Sequence, residues 1–168
     1  MIMVETNNVI ELDDKDKLIL KILQSDAHAS LRDIEEKMKE KGEKFKISTT
    51  AIRARLKHLK EKHIIKNAIT LIDCRKLGYK EMIMATLTVN ATHQLEDIRE
   101  KLNKIEEIKY AYVVTGDSPL FIMAKCLDHD DAMKLIARLR NLPGVVEVKT
   151  QLVLDCIKED HTIIIPKS

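Results

Sequence analysis

Residues 94–108, QLEDIREKLNKIEEI, and residues 131–145, DAMKLIARLRNLPGV, are one element written twice. At an offset of 37 residues, Ile98, Leu102, Ile105 and Ile108 fall on Leu135, Leu139, Leu142 and Val145. The spacing is that of one apolar stripe on a helix, and each stripe runs into the same turn and a following apolar segment. Apolar segments also precede both copies. The order is therefore strand (residues 82–89), helix (about 94–105), strand (108–115), then strand (120–127), helix (130–142), strand (145–155). Two right-handed strand-helix-strand units of this kind interleave into a four-stranded antiparallel sheet with both helices on one face, a ferredoxin-like βαββαβ domain. Ile, Leu, Val and Met occupy both faces of these strands, so the face away from the helices needs a second layer. A second copy of the chain is the simplest one. The tail segment Thr162-Ile163-Ile164-Ile165 reads as a further strand laid on a partner.

Working back toward the N-terminus, residues 73–79, DCRKLGY, form a polar connector. The division expected is residues 1–72, 73–80 and 81–168. The first part reads as three short helices. Asp13 or Asp14 caps the first, whose stripe is Leu18, Ile19, Ile22 and Leu23. Ser30 opens the second with Asp33 as its capping-box partner, and Leu31, Ile34 and Met38 face inward. The polar stretch KEKGEKFK (39–46) is a turn. Ser48 caps a third helix over about 48–62 with Ile52, Leu56 and Leu59 inward. Ile64-Ile65 and residues 68–72 then read as the two arms of a β-ribbon, or wing. The fold class expected is α+β: a winged helix-turn-helix followed by the ferredoxin-like domain.

Composition narrows the function. The chain has 168 residues, 45% hydrophobic and 33% charged, an ordinary globular make-up. Aromatics reach only 3%, with no Trp, which argues against a partner read by stacking unpaired bases. There is no run of about 20 apolar residues and no basic-then-apolar leader at the start. Cys74, Cys126 and Cys156 are odd in number and far apart, which points to buried thiols in a reducing cytoplasm. His28, His58, His63, His93, His129 and His161 show no metal-ligand spacing, and Asp128, Asp130 and Asp131 read as the acidic start of a helix. No nucleophile motif, phosphate-cradling glycine loop or HExxH helix is present, so neither catalysis, a cofactor nor a metal is expected.

Charge is unevenly placed. Net charge is +2, yet residues 44–66 carry eight Lys and Arg against Glu61 alone, a local +7 that leaves −5 for the rest. A basic segment on a mildly acidic body suits a protein that meets phosphate with one face. On the third helix, Thr50, Ala54, Lys57, His58 and Glu61 point outward, flanked by Arg53 and Lys60 on one side and Arg55 and Lys62 on the other. An α-helix fits the major groove, and the small Ala54 lets its backbone approach closely. Ser48, Thr49 and Thr50 stand at the end that usually enters deepest. Arg53 has the fork for guanine, while Lys57, Lys60 and Lys62 suit phosphates. Arg55, at the margin of the core stripe, either joins them or pairs with a carboxylate inside the domain.

The order of these pieces resembles the leucine-responsive regulator (Lrp/AsnC, feast/famine) family over nearly the whole chain. Leu12-Asp13-x-x-Asp16-x-x-Ile19-Leu20 is similar to its start, and Ser48-x-x-x-Ile52-x-x-Arg55-Leu56-x-x-Leu59 to its recognition helix, with Ile64-Ile65 as the exit. Asp73-x-x-Lys76-Leu77-Gly78 resembles its connector and Leu142-Pro143-Gly144-Val145 its last helix-to-strand turn. Gly116-Asp117 lies where the family has a Gly-x-x-Asp loop. The resemblance implies a regulator of transcription that binds double-stranded DNA, forms dimers or larger oligomers, and answers to a small molecule such as an amino acid held near Gly116, Asp117, Ser118 and Pro119. The alternative is an oligomeric ligand-sensing or DNA-packaging protein with no specific operator. Three departures stand out. The 39–46 turn is longer than usual, His63 replaces a Gly after the recognition helix, and Pro119 replaces the Asp of the loop.

Overall fold

The computed structural model describes residues 10–90 and 95–166. The expectations for His93, Gln94 and the extreme termini lie outside the described residues. The chain divides into two units, residues 1–71 with 160–168 and residues 72–159.

The first unit holds α1 (Asp14–Ser25), α2 (Leu31–Glu40) and α3 (Thr49–Glu61). Each begins at the side chain that marks it in the sequence. Asp13 accepts the Asp16 N–H at 2.8 Å, Ser30 and Asp33 exchange bonds at 3.2 and 2.8 Å, and Ser48 accepts the Ala51 N–H at 3.3 Å. Such caps satisfy N–H groups that the helix cannot, each worth about 1 kcal/mol. Burial contributes more. Ile19, Ile22, Ile34, Met38, Ile52 and Leu59 close over one core, at about 1.5–3 kcal/mol per aliphatic side chain removed from water. The long α2–α3 connection contributes to it. Gly42, at φ +121°, turns the chain into a single 3₁₀ turn, Glu43–Phe45, and Phe45 and Ile47 pack against the core edge.

Beyond α3 the expected wing is absent: among the described residues, 64–72 pair with no strand. The reason lies at the helix end. His63 adopts the left-handed conformation, φ +55°, so that its N–H reaches the Lys60 carbonyl at 2.9 Å while the Ile64 and Ile65 N–H groups reach that of Leu59 at 3.0 and 3.2 Å. This is a Schellman closure. It uses the donors of Ile64 and Ile65 and turns their side chains onto the core, leaving Ile69, Leu71 and Ile72 exposed. The expectation for the tail concerns a partner, and only its place within one chain is described. Among the described residues it pairs with no strand of its own chain, and residues from Asp160 onward group with the first unit. The Gln24 side chain donates to the Ile163 carbonyl at 3.3 Å, and Ile165 is buried.

The second unit is the expected βαββαβ. β1 (Glu81–Val89), α4 (Leu95–Asn103), β2 (Ile108–Val113), β3 (Leu120–Cys126), α5 (His129–Arg140) and β4 (Val145–Leu152) form an antiparallel sheet in the order β2-β3-β1-β4. Ile83, Ala85 and Leu87 of β1 lie beside Ala124, Ile122 and Leu120 of β3, in one core with Ile98 and Leu102 of α4 and Leu135 and Leu139 of α5. The alternate positions, Met84 and Thr86 beside Met123 and Phe121, face the other way, as do Tyr110 and Tyr112, whose rings stack 6.1 Å apart. All are half-buried except Tyr112, which is exposed.

The thiols correct one expectation. Only Cys126 is buried; Cys74 is half-buried and Cys156 exposed. Burial, reinforced by the nearby carboxylates of Asp131 and Glu107, pushes the Cys126 thiol up to about 11.

Candidate nucleic-acid interface

The outer face of α3 follows from its inner one. With Ile52 and Leu59 fully buried, the 100° step of the helix turns Thr50, Arg53, Ala54, Lys57, His58 and Lys60 to solvent, and all six are exposed. Thr49 is half-buried beside them. Ser48 is exposed, and its Oγ already accepts the Ala51 N–H, so its own O–H remains to donate, for example to a phosphate. Arg53 and Lys60 make no ion pair among the described residues. Lys57 lies 3.8 Å from Glu61, both side chains exposed, a contact worth at most about 1 kcal/mol and readily exchanged. The face therefore presents cations held by little, around a small residue that allows close approach.

Arg55 does not belong to this face. Its Nη1 lies 2.7 Å from Asp16 Oδ1 and 2.7 Å from Asp13 Oδ2. Partial burial works against the guanidinium charge, but the two carboxylates outweigh it and raise the Arg55 pKa above its ordinary value. Burial likewise opposes ionisation of Asp13, and the Asp16 N–H with the Arg55 guanidinium overcomes it, holding Asp13 below the usual carboxylate range. Of the two options open for Arg55, the intradomain pair is the one formed. The sequence carried a sign of it: Asp13 and Asp16 are three apart, which puts both carboxylates on one side of the first turn. Lys44 is also less free than its sequence position implies, with Nζ 3.4 Å from Asp14 and 4.7 Å above the Phe45 ring.

The second candidate region is the β2–β3 connection. The Val114 N–H donates to the Pro119 carbonyl at 2.8 Å, closing the loop. Gly116 has φ +109°, a left-handed value that favours glycine. The Ser118 and Thr88 hydroxyls meet at 3.0 Å, tying the loop to β1. Gly116 and Asp117 are exposed and Ser118 and Pro119 half-buried. A cleft of about 440 Å³ lies at the opposite end of the sheet, lined by Lys104, Lys109, Lys125 and Arg138 with Glu107 and Asp131 among others; the loop does not border it. No group of three or more His, Cys, Asp or Glu among the described residues is placed to hold a metal ion. No helix among them is long and apolar enough to cross a membrane.

Three capped helices around one core, the third with a basic outer face, joined to a separate βαββαβ unit, make up the architecture of a helix-turn-helix regulator with an attached α+β domain. Comparison with known proteins gives the family. Residues 82–163 match the Lrp/AsnC ligand binding domain. The chain is 30% identical over 148 residues to the HTH-type transcriptional regulator LrpA of Pyrococcus horikoshii, covering 88% of this chain and 99% of that one. It is 30% identical over 150 residues to the regulator FL11 of the same organism, covering 89% and 94%. Among solved structures it superposes on the transcriptional regulator NMB0573 of Neisseria meningitidis, in complex with L-Met, with a TM-score of 0.83 over 92% of this chain and 97% of that one; at 19% identity the likeness is one of fold. The chain belongs to the Lrp/AsnC family of HTH-type transcriptional regulators.

Proposed function

We propose that this protein regulates transcription by binding specific double-stranded DNA as an oligomer, with α3 in the major groove. The observation that carries this reading is the exposed face Thr50-Arg53-Ala54-Lys57-His58-Lys60, set opposite the buried core-facing Ile52 and Leu59. Arg53 is the base reader, Thr49 and Thr50 reach bases or phosphates near the helix start, and Lys57, Lys60 and the Ser48 hydroxyl hold the backbone. The first unit is the DNA-binding part, and residues 72–159 carry oligomerisation and ligand sensing. A second copy covers the sheet face bearing Met84, Phe121, Met123, Tyr110 and Tyr112, because a sheet face this apolar is not left to water. Two recognition helices related by a twofold axis read half-sites spaced by about 10 base pairs or a multiple.

The effector reading follows from loop chemistry. An amino acid brings an ammonium and a carboxylate, and burying both needs a partner for each. Backbone N–H groups of Gly116 and Ser118 suit the carboxylate. Pro119 stands where an acceptor for the ammonium is wanted, and Asp117 is the nearest substitute. Ordinary amino acids therefore bind this chain weakly. A thermal-shift panel of the common amino acids tests that; a clear rise with any of them below millimolar concentration refutes it, since a ligand at about 100 times its Kd adds about 2.7 kcal/mol.

Selection of bound fragments from genomic DNA, followed by footprinting on the recovered sites, tests the main reading. A bounded, phased footprint supports it. Coverage that grows with the length of any duplex points instead to a packaging protein without an operator. Light scattering on the full chain checks the oligomer, and Met123→Glu should reduce it toward monomer.

A further inference from the structure

Arg55 sits on the recognition helix, yet its contacts are with the first turn of α1. One guanidinium nitrogen, Nη1, donates to Asp16 Oδ1 and pairs with the charge of Asp13 Oδ2, both at 2.7 Å. The Asp16 side chain is only 14% exposed and that of Arg55 30%, so water shields this contact less than it does an ordinary surface pair, whereas Asp13 is the outer, half-exposed partner. Asp13 uses its other oxygen to accept the Asp16 N–H at 2.8 Å. The cap that starts α1 and the tie from α1 to α3 thus run through the same carboxylate. Ile19 and Ile22 of α1 and Ile52 and Leu59 of α3 share one apolar core. Such contact is non-directional and resists separation of the helices more than rotation of one about its axis. Charge-assisted hydrogen bonds are directional and supply what the core lacks.

We infer that the Asp13–Arg55–Asp16 clamp sets the rotation of α3, making Arg55 a positioning residue for base readout rather than a contact with DNA. The inference rests on the DNA-binding reading above. Side-chain tips on a helix stand about 5–6 Å from its axis, so a rotation of about 10° moves them by about 1 Å. A shift of that size takes an N–H···O bond at about 2.9 Å out of hydrogen-bonding range. The attraction of Lys57 and Lys60 for phosphate changes little over the same distance, because charge interactions fall off slowly. A loosened clamp therefore loses sequence preference first and general affinity for DNA last.

Asp16→Asn gives a test in which the sign of the effect decides. The substitution removes a negative charge, which by electrostatics alone tightens binding to every duplex. The clamp requires the opposite for the preferred site: the ratio of specific to random affinity falls about tenfold, while random binding is unchanged or tighter. Arg55→Met should lower the same ratio with the salt dependence of binding unaltered, since no phosphate contact is lost. The double variant should lose no more than Arg55→Met alone, since Asp16 acts on α3 only through Arg55. Retained binding to random DNA shows that the variants are folded, and the milder Arg55→Lys, which keeps the charge on a side chain ending one bond short of Nη1, replaces any that are not. An unchanged ratio in Asp16→Asn, or a fall in salt dependence in Arg55→Met, overturns the clamp. A wild-type protein with no sequence preference overturns the DNA-reading proposal itself, and the clamp with it.

Discussion

Lys60→Ala and Arg53→Ala should separate the two tasks assigned to α3. Lys60 is exposed and makes no ion pair among the described residues, so its charge is available to a phosphate without first being released. If each half-site loses one phosphate contact, a twofold dimer loses two, and the slope of log K against log salt concentration falls by about 1.8. Between 50 and 200 mM salt, a fourfold change, the deficit of the variant then shrinks by about twelvefold, the same for preferred and random duplexes. Lys57 must exchange its contact with Glu61 at 3.8 Å, so Lys57→Ala should act in the same direction and less strongly. Arg53→Ala is different in kind. If the guanidinium forks a guanine, its loss costs about 1–3 kcal/mol per half-site on the preferred sequence and lowers the specific-to-random ratio accordingly. Fluorescence anisotropy titrations with two duplexes at four salt concentrations measure both quantities. A Lys60→Ala protein with the wild-type slope, or an Arg53→Ala protein with the wild-type ratio, would refute the assignment of the face.

The remaining predictions concern stability and reactivity. His63 holds a left-handed backbone, φ +55°, that glycine adopts freely, so His63→Gly should stabilise the protein by about 0.5–1 kcal/mol after the greater freedom of the unfolded chain is subtracted; a loss of stability in urea melts contradicts the Schellman account. Asp13→Asn keeps the cap, since asparagine caps as well as aspartate, but removes the charge facing Arg55. Because the pKa of Asp13 is lowered in the folded protein, its contribution is present above the ordinary carboxylate value of about 4 and is lost as pH falls through the lower, folded one. The variant should thus melt below wild type at pH 7, by a gap that narrows as pH falls below about 4; a gap that does not narrow in acid counts against the pairing. With a thiol reagent at pH 8, Cys156 should react first and Cys74 later, while Cys126, its thiol pushed up to about 11 and its side chain buried, should react only on unfolding. Mass spectrometry of the labelled peptides reads the order.

Local signals in the chain were enough for the elements themselves. Asp13, Ser30 and Ser48 start their helices because a short oxygen-bearing side chain satisfies N–H groups within three residues, a matter of neighbours in sequence. The 37-residue repeat carried the second unit, since two identical apolar stripes between apolar strands leave few right-handed ways to close a sheet. The outward set on α3 followed from helical periodicity once Ile52 and Leu59 faced the core. What depended on the tertiary structure was how groups far apart in sequence share their bonding capacity. Ile64 and Ile65 read as one arm of a ribbon by pattern, yet their N–H groups are taken by the Leu59 carbonyl, and a donor so engaged has no second hydrogen bond to offer a strand. Nothing in the tail's own pattern points to Gln24, about 140 residues earlier, whose side chain donates to the Ile163 carbonyl. Arg55 reads as one more cation on a basic helix. Asp13 and Asp16, about forty residues earlier, bind it, because an exposed-looking charge at the rim of a core goes to whichever opposite charges the fold brings within hydrogen-bonding distance, and only the packing of α1 against α3 supplies them.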